Sequence, residues 1–299
     1  MRTDLPQLTI FTPTYNRKDL LKRLYMSLYK QNCKDFVWII VDDGSSDGTK
    51  DMVNQWEKAS DFEIRYIFQQ NQGKSAAFNK GIDLAETELF LCVDSDDYLS
   101  NVAVNNVLVF WREYKGDNIG ILARREVTKV PSKIVTGVRT TLLDAYRVHN
   151  IKGDTMIVHK LEVLKKYRFP QFENEKFVPE AYLYDKLDQH GTLVFLNEVL
   201  YHGNYNKDGY TQNMAKVIKN NPLGYEAFIL QRLQRDSSLK YITTDSIRYV
   251  AVEKVLNIPF YDCIMKSPRP LLTVVSYLAG VLFYYIRYAR IENETTSYM

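Results

Sequence analysis

Aspartates follow two predicted β-strands at the points where those strands end. Asp42 and Asp43 come directly after the second predicted strand, and Asp94 and Asp96 follow the fourth. Two carboxylates separated by one residue at a strand end point to the same side, so Asp94 and Asp96 can share one ligand. Hard oxygen ligands at this spacing favour Mg²⁺ or Mn²⁺ bound together with substrate phosphates. Capping of the next turn explains one such cluster, but it explains two less well.

The elements that must position these aspartates are visible in the first hundred residues. Short β-branched or aromatic runs alternate there with amphipathic helical patterns, which is typical of βαβ units around a parallel sheet. The predicted strands are 8–12, 36–41, 63–68 and 89–93, and the predicted helices are 18–31, 49–58 and 75–86. Because ligands bind at the carboxyl edge of open α/β sheets, we expect the acids to mark a binding site there.

The pattern loosens after residue 98. A predicted helix to about Tyr114 and an apolar run at 119–123 are followed by segment 124–139, which has five basic residues against one acid. This composition, with Pro131 and Gly137, predicts an exposed or mobile loop, and a solvated surface is favoured over a substrate-facing role. Residues from about Gln212 onward are predicted to be mainly helical.

Composition excludes several classes of protein. The 299 residues are 45% hydrophobic and 25% charged, which is unlike a disordered, collagen-like or polytopic membrane protein. A net charge of +3 gives no support to nucleic-acid binding. The three cysteines lie far apart, which favours neither a disulfide framework nor a zinc site and fits a reducing cytoplasm. Residues 1–7 lack the apolar region of a secretory signal, so we expect the chain to start in the cytosol.

Two other phosphate or metal motifs fail on spacing. Gly73-Lys74-Ser75 is similar to the end of a P-loop, but Phe68 stands where that loop needs its first glycine. Residues 43–48 are similar to the start of an EF-hand loop, but its twelfth position would be Asn54 instead of a bidentate Glu.

Four motifs stand in order near the N-terminus: LTIFTPTYN (8–16), VDDGSSDGT (41–49), NQGKSAAFNKG (71–81) and VDSDD (93–97). In this order and spacing they resemble the motif series of family 2 glycosyltransferases with the GT-A fold, of the type that acts in bacterial cell-surface polysaccharide synthesis. The resemblance is strong over residues 8–100, moderate over 150–211 and absent in the tail. It implies an α/β fold with a Rossmann-like, mostly parallel sheet and a helical C-terminal extension.

The resemblance also implies a role for each matching residue. Those implied to bind the nucleotide of a UDP-sugar donor are Thr12, Pro13, Thr14, Tyr15, Asp42, Asp43, Asn71, Lys74, Asp94 and Ser95. Asp94 and Asp96 match the DxD motif, with Asp96 as the direct ligand of Mn²⁺ or Mg²⁺ and Asp94 nearer the ribose. The metal would neutralise the nucleoside diphosphate as it leaves.

An inverting transfer needs a carboxylate that takes the proton of the acceptor hydroxyl. The resemblance implies Glu180, and Pro179 would begin the next helix and place Glu180 in its first turn. Asp185 is the alternative, on a different helical face. His202 lies in a region, 201–205 and 208–211, that resembles the segment closing over the donor diphosphate, and it is a candidate metal or phosphate contact or a structural histidine.

The tail holds an uncharged apolar run of sixteen residues, Leu271–Ile286. As a helix it would be about 24 Å long, short of the roughly 30 Å of a hydrocarbon core, so we do not expect it to span. The flanking bases are Lys266, Arg269, Arg287 and Arg290. They suit a helix that lies in an anionic membrane face, and packing on the protein's own core or on a second subunit is the alternative.

The sequence therefore predicts a GT-A domain over residues 1–211, with a nucleotide-binding half at 1–100 and an acceptor half at 101–211. A helical region follows at 212–299, with a membrane-associating segment at 266–290. The expected function is metal-dependent, inverting transfer from a UDP-sugar to a saccharide acceptor, including one linked to polyprenyl diphosphate, at the cytoplasmic face of the cell membrane. No nucleic-acid partner is expected, and a homo-oligomer is compatible with the sequence.

Two alternatives come from other classes of protein. A nucleotide-sugar nucleotidyltransferase shares the sheet but typically carries a glycine- and arginine-rich loop after the first strand, which residues 13–17 lack. A non-catalytic, membrane-associated scaffold would keep the GT-A sheet and use its tail for assembly. Retention of both acidic clusters favours an enzyme over the scaffold.

Overall fold

A mixed β-sheet organises the first part of the chain. The computed structural model describes residues 6–203 and 210–291, and nine strands of this part form the sheet. They are β1 (Leu8–Thr14), β2 (Phe36–Asp42), β3 (Glu63–Phe68), β4 (Leu89–Cys92), β5 (Tyr98–Leu99), β6 (Gly120–Arg125), β7 (Arg139–Thr140), β8 (Thr155–Lys160) and β9 (Leu193–His202). Their order is β3-β2-β1-β4-β8-β6-β9-β5, and β7 pairs with β9.

The sheet has a parallel half and a mixed half. Strands β3, β2, β1 and β4 are parallel, as the alternation of strands and helices predicts. Strand β8 then runs antiparallel to both β4 and β6, whereas β6 and β9 are parallel to each other. The four predicted strands are confirmed to within two residues at each end.

Helices connect many of these strands and dominate the described chain after residue 209. They are α1 (Lys18–Tyr29), α2 (Thr49–Ala59), α3 (Lys74–Leu84), α4 (Ala103–Tyr114), α5 (Leu142–Arg147), α6 (Leu161–Leu164), α7 (Ala181–Leu187), α8 (Tyr210–Asn220), α9 (Pro222–Arg235), α10 (Leu239–Val255), α11 (Phe260–Lys266) and α12 (Pro270–Arg287). The predicted helices of the first 114 residues are all present. Helix α7 begins at Ala181, so Glu180 lies in the turn before the helix and not in its first turn.

The chain divides into two compact units. Unit 1 comprises Met1–Arg168 and Leu183–Asn204 and contains the whole sheet. Unit 2 comprises Phe169–Tyr182 and Tyr205–Met299 and contains α8 to α12. Glu180 therefore belongs to unit 2, whereas Asp94, Asp96 and Asp185 belong to unit 1.

The core of unit 1 lies between the sheet and the helices that cover it. Every residue of β2 is buried, which is typical of a parallel strand covered on both faces. Helix α1 buries Leu21, Leu24 and Leu28 at three- and four-residue spacing, while its Leu20 is exposed. This packing fixes the strand ends at which the aspartates stand.

Segment 124–139 runs mostly as a loop between β6 and β7, and its charged residues Glu126, Lys129, Lys133 and Arg139 are exposed, as predicted. Its first two residues complete β6, and Arg139 begins β7. Between them, the Gly137 N–H donates to the Phe195 carbonyl at 2.8 Å, and Thr128 and Ile134 are buried. The segment is therefore an exposed loop that is anchored to unit 1 at a few points.

Candidate active site

The carboxyl ends of β1, β2 and β4 meet at one edge of the sheet in unit 1. The Asp43 N–H donates to the Thr14 carbonyl at 2.8 Å, and the Val93 N–H donates to the Phe11 carbonyl at 2.8 Å. The first acidic cluster thus lies beside the end of β1 on one side, and the second lies beside it on the other. The expected juxtaposition of the two clusters follows from the parallel pairing of these three strands.

Asp43 organises the loop that leads into α3. Its buried carboxylate accepts from the Gln69 side chain at 2.7 Å, from the Gln72 N–H at 2.9 Å and from the Gly73 N–H at 2.7 Å. These bonds fix the backbone immediately before Lys74, the first residue of α3. Asp43 therefore fixes the backbone position from which the Lys74 side chain extends.

Asp42 is fully buried and holds the start of the next loop. Its two oxygens accept from the Ser45 N–H at 2.7 Å and from the Tyr66 hydroxyl at 2.6 Å. Burial and the adjoining carboxylate raise the pKa of Tyr66 far above its ordinary value, so this hydroxyl remains a donor at neutral pH. Asp42 and Asp43 thus shape the edge of the site through bonds within the protein.

The DxD residues are each paired with a cation. Lys74 Nζ lies 2.6 Å from Asp94 Oδ1, and Arg17 Nη1 lies 2.9 Å from Asp96 Oδ2. Burial would raise the pKa of Asp94, but Lys74, with Arg125 and Arg17, holds it below its usual value. Asp94 is therefore ionised at neutral pH.

A second network supports the DxD loop through the neighbouring Asp97. Arg125 Nη2 lies 2.9 Å from Asp97 Oδ2, which also accepts from the Tyr201 hydroxyl at 2.8 Å. The Tyr201 oxygen in turn accepts from the Asp94 N–H at 3.1 Å. Burial raises the pKa of Asp97 to about 6, while Arg125 acts in the opposite direction.

Gly203 allows this network to close. A Cβ at this position would lie 1.6 Å from Asp97 Oδ1 and 3.2 Å from Arg125 Nη2. Any side chain here would displace the Asp97 carboxylate. Close packing against Asp97 therefore explains the glycine that follows His202.

Sequence reasoning missed Arg17 and Arg125 and gave Tyr201 no role. Arg17 directly follows the first motif, so its position beside that motif was an available signal. Arg125 lies in the basic segment that was interpreted as solvated surface. Its role depends on Asp97, 28 residues earlier in the sequence, and no local pattern predicts such a contact.

The predicted nucleotide-binding residues of the β1 loop differ in exposure. Thr12 is buried and accepts from Trp38 Nε1 at 2.9 Å, so its side chain belongs to the core. Thr14 and Ser95 are also buried, whereas Pro13 and Tyr15 are partly exposed. The Asn71 backbone packs on Gly44, where a Cβ would lie 3.2 Å from the Asn71 nitrogen. Their roles toward a nucleotide stay predictions.

Two carboxylates one residue apart fit a hard divalent cation. Mg²⁺ typically takes one or two protein carboxylates and completes its shell with water and substrate phosphates, and Mn²⁺ also prefers oxygen ligands. Within 6–203 and 210–291, no three His, Cys, Asp or Glu side chains cluster as a ready-made metal site. His202 stacks on Tyr98 with ring centroids 5.1 Å apart, and its Nδ1 lies 3.4 Å from Glu126 Oε2.

The segment that carries Glu180 is held within unit 2. Glu175 accepts from the Leu223 and Gly224 N–H groups, both at 2.8 Å, and so caps the start of α9. Asn221 Oδ1 accepts from the Lys176 N–H at 2.7 Å. Glu180 is partly exposed, whereas its alternative Asp185 is buried in α7 of unit 1. The part of the closing segment at 204–209 lies outside the described residues, as do the side chains of 210–212.

The fold and the acidic edge define a GT-A-like transferase architecture, and solved structures share the fold. Staphylococcus aureus TarS 1-349 in complex with UDP aligns with a TM-score of 0.59 and 19% identity over 97% of this chain and 94% of that chain. A mannosyltransferase of Pyrobaculum calidifontis in complex with GDP-Man and Mn²⁺ aligns with a TM-score of 0.55 and 16% identity, over 95% and 88%. At these identities the likeness establishes the fold alone.

The sequence model of glycosyl transferase family 2 matches residues 9–159, and the chain belongs to this family. The family, the fold class and the glycosyltransferase class predicted from the motifs are thereby confirmed. A GalNAc(5)-diNAcBac-PP-undecaprenol beta-1,3-glucosyltransferase of Campylobacter jejuni is 37% identical over 106 residues, which is 35% of this chain and 34% of that protein. Alignments with two further curated relatives likewise cover only 28% and 43% of those proteins.

Proposed function

We propose that this protein transfers a sugar from a UDP-sugar to a saccharide acceptor, with inversion at the anomeric carbon and with a divalent cation bound by the DxD residues. The observation that carries the proposal is the placement of Asp94 and Asp96 at the end of β4, beside the loop organised by Asp43. Membership of glycosyl transferase family 2 supports it.

The nucleotide would lie along the edge formed by the ends of β1 and β2. Pro13 and Tyr15 are accessible there, while Asp42 and Asp43 hold the surrounding backbone in place. Uridine is the base that the motif series implies, and the TarS structure with UDP agrees with this choice. Lys74 and Arg17 place two cations beside the DxD carboxylates, where they can also attract a diphosphate.

Asp96, with Asp94, would hold Mn²⁺ or Mg²⁺. When bound, the cation supplies Lewis-acid stabilisation of the negative charge that develops on the departing diphosphate. Asp97, Arg125 and Tyr201 would keep the DxD backbone in position, since Tyr201 joins Asp97 to the Asp94 N–H. His202 is a further proposed contact of the metal or of the diphosphate.

Glu180 is the proposed general base. The acceptor hydroxyl attacks the anomeric carbon as its proton passes to the carboxylate, and the bond from that carbon to the diphosphate oxygen breaks with its electron pair on UDP. A base must reach a bound acceptor, and Glu180 is accessible where Asp185 is buried. We therefore favour Glu180.

The proposed acceptor is a saccharide carried on a polyprenyl diphosphate at the cytoplasmic face of the cell membrane. The Campylobacter relative is named for an acceptor linked to undecaprenol through diphosphate. The proposal places this chain in cell-surface polysaccharide synthesis. The proposed catalytic domain comprises residues 1–211, which include both the DxD residues and Glu180.

Thermal unfolding with UDP, GDP and ADP, each with and without Mn²⁺, tests the donor site. A ligand present at 100 times its dissociation constant stabilises the folded state by about 2.7 kcal/mol. We expect the largest rise in Tm with UDP and Mn²⁺ together. Asp96→Asn should lose the Mn²⁺-dependent part, whereas Glu57→Gln, an exposed acid on α2, should keep it.

The outcomes separate the parts of the proposal. A rise with GDP in place of UDP would replace the nucleotide and keep the site. No response to any nucleotide would contradict the transferase proposal. Release of UDP from UDP-sugars in the presence of lipid-linked saccharides then identifies the acceptor class.

A further inference from the structure

Helix α12 turns its small residues toward the interior of unit 2. Thr273, Ser276 and Gly280 are its buried residues, and they face α10. A Cβ at Gly280 would lie 2.5 Å from the Val250 Cβ and 2.9 Å from the Ile247 carbonyl oxygen. The two helices approach closely at this point because Gly280 has no side chain.

One face of α12 turns large apolar side chains outward, whereas Tyr277, Val281 and Phe283 pack on the core of unit 2. Leu271, Val275 and Leu278 are 85%, 81% and 83% exposed, and Leu282 and Ile286 continue the same stripe at helical spacing. A helix on the surface of a water-soluble domain typically carries polar and charged side chains on such an outward face. The neighbouring α11 extends the apolar surface with Phe260, Tyr261 and Met265, all more than half exposed.

The charge around this surface is mainly basic. Residues 260–291 contain four bases and one acid, the exposed Asp262 of α11. Lys266 pairs with Glu226, and Arg269 donates to the Leu233 and Asp236 carbonyls, so both are tied into unit 2. Arg287 and Arg290 are exposed beside the outward stripe.

We propose that α11 and the outward stripe of α12 form a docking surface for an anionic lipid bilayer, with α12 lying in the plane of the interface. Its apolar side chains would enter the boundary between headgroups and acyl chains, and Arg287 and Arg290 would contact the anionic headgroups. A second copy fits less well, because it would bring the same four bases and only Asp262 among residues 260–291 to oppose them.

Helix α12 is long and apolar enough to cross a membrane. The charged residues of the adjacent helix α10 are nevertheless evidence against a membrane span. Helix α10 packs along α12 and carries Asp245, Arg248 and Glu253. Burial of those ionisable groups in hydrocarbon would be strongly unfavourable. The in-plane arrangement keeps α10 on the water side, and it stands independently of the proposed transfer reaction.

Co-sedimentation of the full chain with lipid vesicles tests the surface. We expect binding to phosphatidylcholine vesicles that contain phosphatidylglycerol, much weaker binding to phosphatidylcholine alone, and release by high salt. The triple variant Leu271→Gln, Val275→Gln, Leu278→Gln should lose roughly tenfold or more of the partition, since it removes three exposed apolar contacts. The variant Arg287→Gln, Arg290→Gln should lose roughly fivefold per arginine on anionic vesicles only.

The matched control is Val109→Gln, Val135→Gln, Val148→Gln, which removes three valines of unit 1 that are 52%, 58% and 65% exposed. It should bind vesicles like the wild type. All substituted residues lie on the surface, so circular dichroism and Tm should be unchanged in every variant.

Three results would overturn the proposal. Equal sedimentation of the α12 triple variant and the wild type would mean that this stripe does not contact lipid. The surface would belong to a second copy if the wild type does not bind vesicles but forms a dimer, and if the α12 triple variant is monomeric. Retention on vesicles at high salt and alkaline pH would contradict the in-plane arrangement.

Discussion

The acids at the sheet edge of unit 1 and the buried glutamates of unit 2 are similar in type but differ in how they are partnered. Asp43 accepts three hydrogen bonds, and Asp94 and Asp96 each have a cation beside them. In unit 2, the buried Glu226 and Glu253 lie together with Lys266, whose Nζ is 3.6 Å from Glu253 Oε1. Burial and Glu226 raise the pKa of Glu253 to about 8. The protonation state of a buried carboxylate therefore depends on the hydrogen-bond donors and cations beside it, and not on burial alone.

The difference follows from the secondary structure that carries each acid. Strand ends and the loops after them leave backbone N–H groups that a carboxylate can accept, as Asp43 does from Gln72 and Gly73. Within a helix those N–H groups bond to carbonyls of the same helix. Glu226 and Glu253 stand inside α9 and α10, so each depends on side chains from neighbouring helices.

Asp96→Asn should have the largest effect on activity, because it removes the proposed metal ligand at the sheet edge of unit 1. We expect transfer measured by UDP release to fall by about a thousandfold or more, with Tm nearly unchanged. Glu57→Gln is the matched control and should turn over normally. An Asp96→Asn enzyme with wild-type turnover would refute the metal assignment.

Glu180→Gln tests the acid that is proposed to act chemically. We expect kcat to drop by about a hundredfold, while UDP-induced stabilisation persists, because a general base contributes to the proton transfer and not to donor binding. Asp185→Asn, at the buried alternative, should leave kcat much closer to that of the wild type. The reverse ranking would assign the base to Asp185.

Asp43→Asn replaces an ionised acceptor with an amide of the same size. Because one side of the amide would present an N–H₂ group to donors of the loop, we expect unfolding in urea to become easier by about 2 kcal/mol. Lys74 should also be displaced, so donor binding should weaken. Asp61→Asn, an exposed acid outside this loop, should change the unfolding free energy little. A variant as stable as the wild type would show that the three hydrogen bonds contribute little.

Glu253→Gln tests whether the buried glutamates of unit 2 make the stability of the protein depend on pH. The raised pKa means that the folded state holds a proton that the unfolded state releases above about pH 4.5, so stability should fall as pH rises toward about 8 and level off above it. The loss should be on the order of 1 to 2 kcal/mol, because the charge on Glu253 interacts strongly with that of Lys266. In the variant this slope should be reduced, as measured by urea unfolding across the pH series. An identical slope in both proteins would place the titration elsewhere.

The parallel half of the sheet could be predicted because β1 to β4 are local, apolar and separated by amphipathic helices. The mixed half could not: β5 and β7 are two residues long, and β8 joins β4 to β6 through pairings that only the folded chain makes. The start of α7 was placed too early, because Pro179 is a good first residue for a helix but here lies in the preceding turn.

In the site, the aspartates could be predicted because they are clustered in the sequence. The partners of Asp97 could not be predicted, since Arg125 and Tyr201 reach it from positions that are distant in the sequence. The tail was predicted to be apolar and flanked by bases. Which of its side chains face outward depends on packing against unit 2, and the exposed apolar stripe is visible only in the structure.

The ion pairs at the DxD motif join equal numbers of opposite charges. Three carboxylates, those of Asp94, Asp96 and Asp97, lie among three cations, Lys74, Arg17 and Arg125, while Arg23 donates to the Asp96 carbonyl. Paired charges have a short-ranged field, so they do little to steer a charged donor from a distance. The association rate of the donor should therefore change little with ionic strength, and discrimination between donors should arise after encounter, in the rate at which they leave.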